Sequence, residues 1–171
     1  MAWWALSYHI GEFRGDGSTD SGVLSFARPS FPRYHISLGQ LALSEAGAHE
    51  FRFRGLPDER MTLMLYVQGK TYFRDSALLT SLHTSIEATL IDDGGNTVCK
   101  ASGSPQVGID RGGWILTGTS SSAAYWSEDC VNVAVKRNTS YTLTVRVRQV
   151  DDCASSMSLV PTLEGGGNEL P

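Results

Sequence analysis

Apolar and polar residues alternate along much of the chain. The clearest run is Tyr141–Arg148, in which Tyr, Leu and two Val residues occupy every second position and Thr or Arg residues lie between them. Successive strand residues point to opposite faces of a sheet, so this period predicts a half-buried β-strand. Similar runs predict strands at His49–Arg54, Ser85–Ile91, Thr97–Cys99, Trp114–Gly118 and Cys130–Val135, and the mostly apolar run Met61–Val67 predicts a strand that is largely buried.

Turn-forming residues separate these runs. Asp92–Asn96 contains Asp-Gly between two alternating segments and predicts a hairpin, because glycine tolerates the positive φ that tight turns need. Gly55–Asp58 and Lys136–Ser140 predict two more turns. Met157–Pro161 predicts a last strand at a sheet edge, where proline is tolerated.

Helical patterns are scarce. Asp75–His83 fits two helical turns, and Leu38–Ala46 fits either a short turn or another strand. About eight strands with glycine-rich turns and at most one short helix predict a single antiparallel β-sandwich over residues 1–171. Within it, residues 1–22 are expected to form an N-terminal strand and a flexible loop, and residues 161–171 a C-terminal tail.

Composition narrows the class of protein. The 171 residues include 41% hydrophobic and 19% charged residues, with a formal net charge of −4. These values argue against a coiled coil, a disordered tail and a collagen-like chain. A nucleic-acid partner is also not expected, because such binding generally needs clustered positive charge.

Three cysteines, Cys99, Cys130 and Cys153, fit either a cytosolic protein with unpaired thiols or an exported protein with one disulfide. Cys99 closes one predicted strand and Cys130 opens another. A Cys99–Cys130 disulfide is therefore the first choice, and Cys130–Cys153 is the alternative.

The two ends of the chain bear on its location. No basic segment followed by an apolar run opens the sequence, and Met1–Leu6 is too short to span a bilayer. This start fits an apolar first strand, or a mature domain without its secretion signal or lipid-carrying cysteine. Leu163–Pro171 resembles the closing stretch of small periplasmic lipoproteins from Gram-negative bacteria, which implies a periplasmic location and allows a lipid anchor.

The layout from Phe51 to Val147 is similar to that of jelly-roll and C2-like sandwiches. Its parts are a strand ending in Gly55-Leu56-Pro57, the strand Leu63–Val67, the Asp92–Gly95 hairpin and a turn that enters Tyr141–Val145. The resemblance implies an eight-stranded sandwich. It also implies the roles that bacteria give such domains: carbohydrate-binding modules, calcium-dependent accessory domains, and periplasmic binding or inhibitor proteins.

Catalytic and zinc-binding motifs are not present. His9, His35, His49 and His83 are scattered without metal-ligand spacing, and the cysteines form no Cys-x-x-Cys pair. The sequence has no Gly-x-Ser-x-Gly elbow for a serine nucleophile. We therefore expect a protein that is not an enzyme; a glycan-active hydrolase with dispersed carboxylates is the least favoured hypothesis.

Acidic pairs occur at Asp58-Glu59, Asp92-Asp93, Glu128-Asp129 and Asp151-Asp152. Adjacent carboxylates in a loop do not by themselves face each other across a sugar, as glycoside hydrolysis requires, so solvated turns are the simpler interpretation. Calcium is the one cofactor that remains open. Asp92, Asp93, Asp151 and Asp152 would supply its oxygen ligands if their turns are adjacent.

Tyr125 and Trp126 are the main candidates for a ligand-stacking surface, beside Trp114, Tyr72 and Phe73. Neighbouring strand residues face opposite sides, so one ring of the Tyr125-Trp126 pair is expected in the core and the other partly exposed. Four arginines that alternate along two strands are expected to form the polar outer face of one sheet; they are Arg52, Arg54, Arg146 and Arg148.

A small acidic domain without a catalytic motif predicts binding rather than catalysis. The first hypothesis is a periplasmic protein-binding module, an immunity or inhibitor protein that blocks a secreted toxin or hydrolase with an acidic loop end and aromatic anchors. The alternative is a calcium- or carbohydrate-binding accessory module. The candidate binding residues are Tyr125, Trp126, Glu128, Asp129, Asp92 and Asp93.

Overall fold

Strands form almost all of the regular structure. The computed structural model describes residues 14–15, 23–28, 31–56, 58–68, 83–106, 113–119, 122–150 and 157–165. The only helix in these ranges is a three-residue 3-10 helix, Glu128–Cys130, so the all-β prediction is confirmed. The strands are β1 (Arg14–Gly15), β2 (Val23–Arg28), β3 (Phe31–Ser37), β4 (Leu41–Ala42), β5 (Gly47–Arg54), β6 (Arg60–Gln68), β7 (Ser85–Asp92), β8 (Thr97–Gly103), β9 (Pro105–Gln106), β10 (Trp114–Thr119), β11 (Ser122–Trp126), β12 (Val133–Ala134), β13 (Ser140–Gln149) and β14 (Ser158–Gly165).

The strands form two sheets. Sheet A has the order β1-β5-β13-β7-β8, and sheet B has the order β2-β3-β14-β6-β11-β10-β9. Two short strands join sheet B from the side, with β4 paired to β14 and β12 paired to β6. Apart from the parallel pair β9–β10, neighbouring strands are antiparallel. The antiparallel β-sandwich predicted from the sequence is thus confirmed.

Eight of the strands follow the order of a jelly roll. They are β3, β5, β6, β7, β8, β11, β13 and β14. Numbered one to eight along the chain, they lie in the order 1-8-3-6 in sheet B and 2-7-4-5 in sheet A. The chain thus crosses repeatedly between the sheets, as in the double Greek key of jelly rolls.

One cluster of buried side chains lies between the sheets. On β13, Leu143 and Val145 are fully buried, whereas Thr142 and Thr144 on the opposite face are partly exposed. On β6 of sheet B, Leu63 and Leu65 belong to the same cluster. The alternation in Tyr141–Arg148 therefore correctly predicted which residues of β13 point into the core.

A disulfide links the two sheets. Cys99 on β8 is bonded to Cys130, the last residue of the 3-10 helix that follows β11, with a Cα–Cα distance of 5.2 Å. The first choice of pairing is confirmed. Cys130 is consequently not available to Cys153, which lies outside the described residues.

The predicted strand Cys130–Val135 is mostly wrong. Only Val133–Ala134 pairs, with Met61 and Arg60 of β6. Asn132 adopts a φ of 54°, in the left-handed region, and its amide donates to the Thr62 hydroxyl. This local turn, together with the disulfide at Cys130, interrupts the extended run that the residue types favour.

The last strand is central rather than at an edge, contrary to the prediction. β14 pairs with β6 on one side and with β3 and β4 on the other. The Pro161 carbonyl accepts a hydrogen bond from the Leu38 amide. In a β-strand, the nitrogen and the carbonyl of one residue point toward the same neighbouring strand. The Pro161 nitrogen therefore faces the gap between β3 and β4, where the ladder of backbone hydrogen bonds is already interrupted.

The same strand extends to Gly165, into the stretch predicted as a tail from Pro161 onwards. A Cβ atom at Gly165 would overlap the sulfur of Met61 and the carbonyl of Arg60, so the close pairing of β14 with β6 requires glycine here.

Some expectations lie outside the described residues. One is the predicted helix Asp75–His83, of which only His83 is described, and His83 is not helical. The other is the N-terminal segment 1–22, of which only Arg14–Gly15 is described, and it pairs with β5. In the part of the chain that the structure describes, no helix is long and apolar enough to cross a membrane.

Candidate ligand-binding face

The outer face of sheet B is unusually well buried for the solvent side of a sandwich. Thr162 on β14 is fully buried, and Met64 on β6 and Val160 on β14 are each only 9% exposed. An outer face that is simply solvated would carry exposed polar side chains. We call this surface the B face; its residues are His35, Ser37, Thr62, Met64, Tyr66, Ala124, Trp126, Val160, Thr162 and Glu164.

The register of four strands arranges the B face in rows. Residues directly opposite each other in antiparallel strands have side chains on the same face and in contact range. The three rows run Trp126–Met64–Thr162–Ser37, Ala124–Tyr66–Val160 and Thr62–Glu164–His35. The face thus brings together residues that are distant in the sequence.

Glu164 is the centre of a hydrogen-bonded cluster on this face. The Tyr66 hydroxyl donates to Glu164 Oε1 at 2.6 Å, and His35 Nδ1 lies 2.8 Å from the same oxygen. The rings of His35 and Tyr66 meet edge to face, with centroids 5.4 Å apart. The side chains of His35 and Glu164 are 40% and 33% exposed. The carboxylate is therefore fixed in position and still accessible.

Tyr66 acts as a permanent donor in this cluster. Burial raises the pKa of its hydroxyl, and the hydrogen bond to Glu164 and the negative charge of that carboxylate raise the pKa further. The phenol consequently stays protonated through the physiological range. Its role is to orient Glu164, not to accept protons.

The Tyr66 ring also shields the middle of the face. Tyr66 is opposite Val160, which lies four residues before Glu164 on β14. The Tyr66 hydroxyl can reach Glu164 only if the Tyr66 ring lies along the direction of the strands. The row that contains Thr162 then lies beneath the ring. This placement accounts for the burial of Thr162, whose hydroxyl donates to the Val160 carbonyl at 3.2 Å.

Trp126 and Tyr125 divide as predicted between surface and core. Tyr125 is fully buried and belongs to the core cluster, and this burial raises its pKa. Trp126 is half-buried on the B face, directly opposite Met64. Tyr66 is its diagonal neighbour, at a distance that aromatic side chains can span. Of the two rings, Trp126 is therefore the one that a ligand can contact.

Asp92 and Asp93 have structural contacts in the predicted hairpin turn, which is confirmed. Asp92 Oδ1 accepts hydrogen bonds from the backbone and side-chain nitrogens of Asn96, at 2.8 and 3.1 Å, and these bonds lower the pKa of Asp92. Asp93 Oδ2 accepts from the Ser140 amide at 3.2 Å. Gly95 has the positive φ, 79°, that the turn requires. These two carboxylates thus stabilise the turn and tie it to the start of β13.

Glu128 and Asp129 are exposed on the 3-10 helix. The disulfide at Cys130 ties this acidic helix to β8, the strand that leaves the Asp92–Asn96 turn. The candidate residues from the sequence therefore separate: Asp92 and Asp93 lie in the hairpin turn, Glu128 and Asp129 on the 3-10 helix, Tyr125 in the core and Trp126 on the B face.

The described residues contain no group of three His, Cys, Asp or Glu side chains placed to hold a metal ion. Asp151 and Asp152, the other half of the predicted calcium cluster, lie outside the described residues, as do Tyr72 and Phe73. Calcium binding stays a prediction.

The outer face of sheet A differs sharply from the B face. Arg52 on β5 and Arg148 on β13 are largely exposed, as predicted for the arginine-bearing strands. Arg148 donates to Glu87 Oε2 through Nη2 at 2.6 Å and through Nε at 3.0 Å, and Lys100 lies 3.5 Å from the other oxygen. The hydrogen bonds from Arg148 lower the pKa of Glu87. This face is solvated and held by cross-strand ion pairs.

Glu87→Gln tests these ion pairs. The pKa of Glu87 is lower in the folded than in the unfolded protein, so its carboxylate stabilises the fold at pH values above the unfolded-state pKa. This stabilisation is lost as the pH falls through the lower, folded-state pKa. We expect the variant to lose about 0.5–1 kcal/mol of unfolding free energy at neutral pH and almost nothing at about pH 2, in urea titrations. Glu45→Gln, at an exposed carboxyl that makes no ion pair with a described residue, is the control; an equal loss at both pH values in Glu87→Gln would contradict the assignment.

His35, Tyr66 and Glu164 were not identified from the sequence as a site. One signal was available: Met61–Val67 is apolar at nearly every position rather than at every second one, which indicates a strand covered on both faces. The partners of that second face depend on strand pairing.

No protein-family model matches the chain, and no curated protein shows significant similarity to it.

Proposed function

We propose that this chain is a non-catalytic binding module that holds a carbohydrate on its B face. The observation that carries the proposal is the oriented Glu164 carboxylate between the half-buried aromatic side chains of Tyr66 and His35, with Trp126 nearby on the same face. This choice places the accessory-module hypothesis ahead of the protein-binding hypothesis.

The chemistry of the B face suits a sugar. A pyranose ring has apolar C–H faces that pack on aromatic rings and hydroxyls that donate to carboxylates. A carboxylate has about four lone-pair positions, so the contacts of Glu164 with Tyr66 and His35 leave capacity for ligand hydroxyls. Because Tyr66 already orients Glu164, little side-chain freedom is lost on binding.

Binding is favoured over hydrolysis by the number of carboxylates. Glu164 is the one acidic residue among the described B-face residues, whereas glycoside hydrolysis generally uses two carboxyl groups on either side of the scissile bond. The Tyr66 hydroxyl, with its raised pKa, is not a suitable base either.

The Cys99–Cys130 disulfide is compatible with an extracytoplasmic location, because such bonds form and persist in oxidising compartments. We propose the periplasm as that compartment.

A protein-binding inhibitor is the second candidate. The exposed carboxylates of Glu128 and Asp129 lie on a helix that the disulfide holds in place. Such a pre-organised acidic loop end suits the basic rim of a partner's active site.

Calorimetric titration with neutral hexasaccharides of glucose, xylose and N-acetylglucosamine tests the first candidate. We expect one of them to bind, Trp126→Ala to weaken its affinity about tenfold through lost ring contact, and Glu164→Gln to weaken it severalfold. Circular dichroism and thermal melting establish that both variants remain folded.

The double variant Glu128→Gln/Asp129→Asn is the matched control, because it removes the acidic loop end and leaves the B face unchanged. Sugar affinity should not depend on it. If none of the sugars binds, or if Trp126→Ala binds as well as the wild type, the carbohydrate proposal is wrong. If a purified protein partner binds Trp126→Ala and Glu164→Gln but not this double variant, the result would favour the inhibitor hypothesis.

A further inference from the structure

Positive charge is concentrated on the outer face of sheet A. The outward positions of β5, β13, β7 and β8 form what we call the A face; its charged residues are Glu50, Arg52, Arg54, Glu87, Lys100, Arg146 and Arg148. Five cations and two carboxylates give this face a charge of +3. The whole chain has a net charge of −4, so the residues outside the A face carry −7.

The arginines form two groups at opposite ends of the β5–β13 pair. Arg52 is opposite Thr142, and Arg54 is opposite Ser140, whereas Arg146 lies four residues farther along β13 than Thr142. At about 3.4 Å per residue, the two groups are roughly 13 Å apart. Thr144 and Thr89, which are opposite each other on β13 and β7, lie between the two groups. Glu50 lies in the same row and accepts a hydrogen bond from Arg52 Nε at 2.6 Å, and Glu87 accepts from Arg148. Among the arginines, the positive charge that these pairs leave uncompensated is therefore that of Arg54 and Arg146.

We propose that the A face binds an acidic polysaccharide, with the carboxylates of a single extended sugar chain pairing with the two arginine groups. Guanidinium groups bind carboxylates through two parallel hydrogen bonds, and threonine hydroxyls complement sugar hydroxyls between them. This site is separate from the B face and goes beyond the proposed function, because it recognises charge rather than a neutral sugar ring.

Other polyanions fit the A face less well. Its described residues include no aromatic side chain on which nucleic-acid bases would stack. Its one large apolar residue is Ile91, which offers little area for insertion into a lipid surface. The charge of −7 on the rest of the protein repels a broad anionic surface, such as a membrane, more strongly than it repels a single narrow polysaccharide chain.

The test uses the full chain and a galacturonic acid decamer, with a neutral glucose decamer as the comparison. We expect the uronic acid oligomer to bind, its affinity to fall as salt is added, and the neutral oligomer not to displace it. Arg54→Gln/Arg146→Gln should weaken binding about tenfold, because it removes the uncompensated charge of both groups.

Arg60→Gln/Arg137→Gln is the matched control, since it removes the same charge from exposed sites outside the A face. It should change the affinity less than twofold, and Trp126→Ala should have no effect. Equal losses in the two double variants would overturn the proposal, because bulk charge would then explain the binding. Tighter binding to phosphatidylglycerol vesicles or to a single-stranded oligonucleotide would also overturn it, and so would dependence on Trp126.

Discussion

Trp114→Ala is expected to lower the free energy of unfolding by about 3–5 kcal/mol. The side chain is fully buried on β10, and its indole nitrogen donates to the Ile86 carbonyl of β7 at 2.9 Å. Trp114 thus connects strands of the two sheets through packing and through a hydrogen bond. Alanine would leave a cavity and remove a hydrogen bond from a buried carbonyl, and both are costly in a domain whose total stability is of the order of 5–15 kcal/mol.

Urea unfolding followed by far-ultraviolet circular dichroism measures this loss. Trp114→Phe retains a buried aromatic ring but loses the donor and a small part of the ring volume; we expect it to cost about 1–3 kcal/mol. Trp126→Ala is the matched control, since Trp126 is half-buried on the outer B face. If Trp114→Ala costs no more than Trp126→Ala, the position assigned to Trp114 between the sheets is wrong.

Removing the disulfide is expected to have an effect of similar size. Cys99 and Cys130 are 31 residues apart, and closing a loop of this length restricts the unfolded chain by an amount equivalent to about 3–4 kcal/mol. Cys99→Ala/Cys130→Ala avoids placing a new hydroxyl in the buried site. The double variant should therefore unfold at a clearly lower urea concentration than the oxidised wild type.

Reductant provides the control for the disulfide. The reduced wild type should unfold at the same urea concentration as the double variant, and the double variant should not respond to reductant. A wild type whose unfolding is unchanged after verified reduction would contradict a stabilising bridge.

The disulfide variant also separates the two candidate functions. Trp126 and Tyr66 are held by the pairing of β11 with β6, whereas Glu128 and Asp129 lie on the helix that ends at the bridge. Under conditions in which the double variant is folded, sugar binding at the B face should persist. Binding of a protein partner through the acidic helix should weaken, because its pre-organisation is lost.

The strands of sheet A could be predicted from the sequence because each depends on local alternation. Tyr141–Arg148 and Ser85–Ile91 each show a period of two, and the Asp-Gly turn after Ile91 requires a hairpin whatever the rest of the chain does. The Cys99–Cys130 pairing was the first choice from the sequence, but the strand ends on which that choice relied are not there: Cys99 lies within β8, and Cys130 ends a 3-10 helix. The arginine-bearing outer face followed from the same alternation.

The candidate site could not be predicted in this way, since it depends on which strands become neighbours. His35 and Glu164 are 129 residues apart, and Tyr66 and Glu164 are 98 residues apart. Their contact requires β14 to lie between β3 and β6, although the proline in β14 favours an edge by local rules. Only the gap between β3 and β4 makes that proline acceptable in the interior of the sheet.

By itself, the sequence determined that the chain forms a β-sandwich and which face of its alternating strands is buried, because these properties follow from residue type and short-range spacing. The tertiary structure alone decided which strands of sheet B are neighbours, which cysteines pair, and that a histidine, a tyrosine and a glutamate meet on the outer face of that sheet. Strand order and register are set by competition among all strands for burial and hydrogen bonding, and no local segment contains that information.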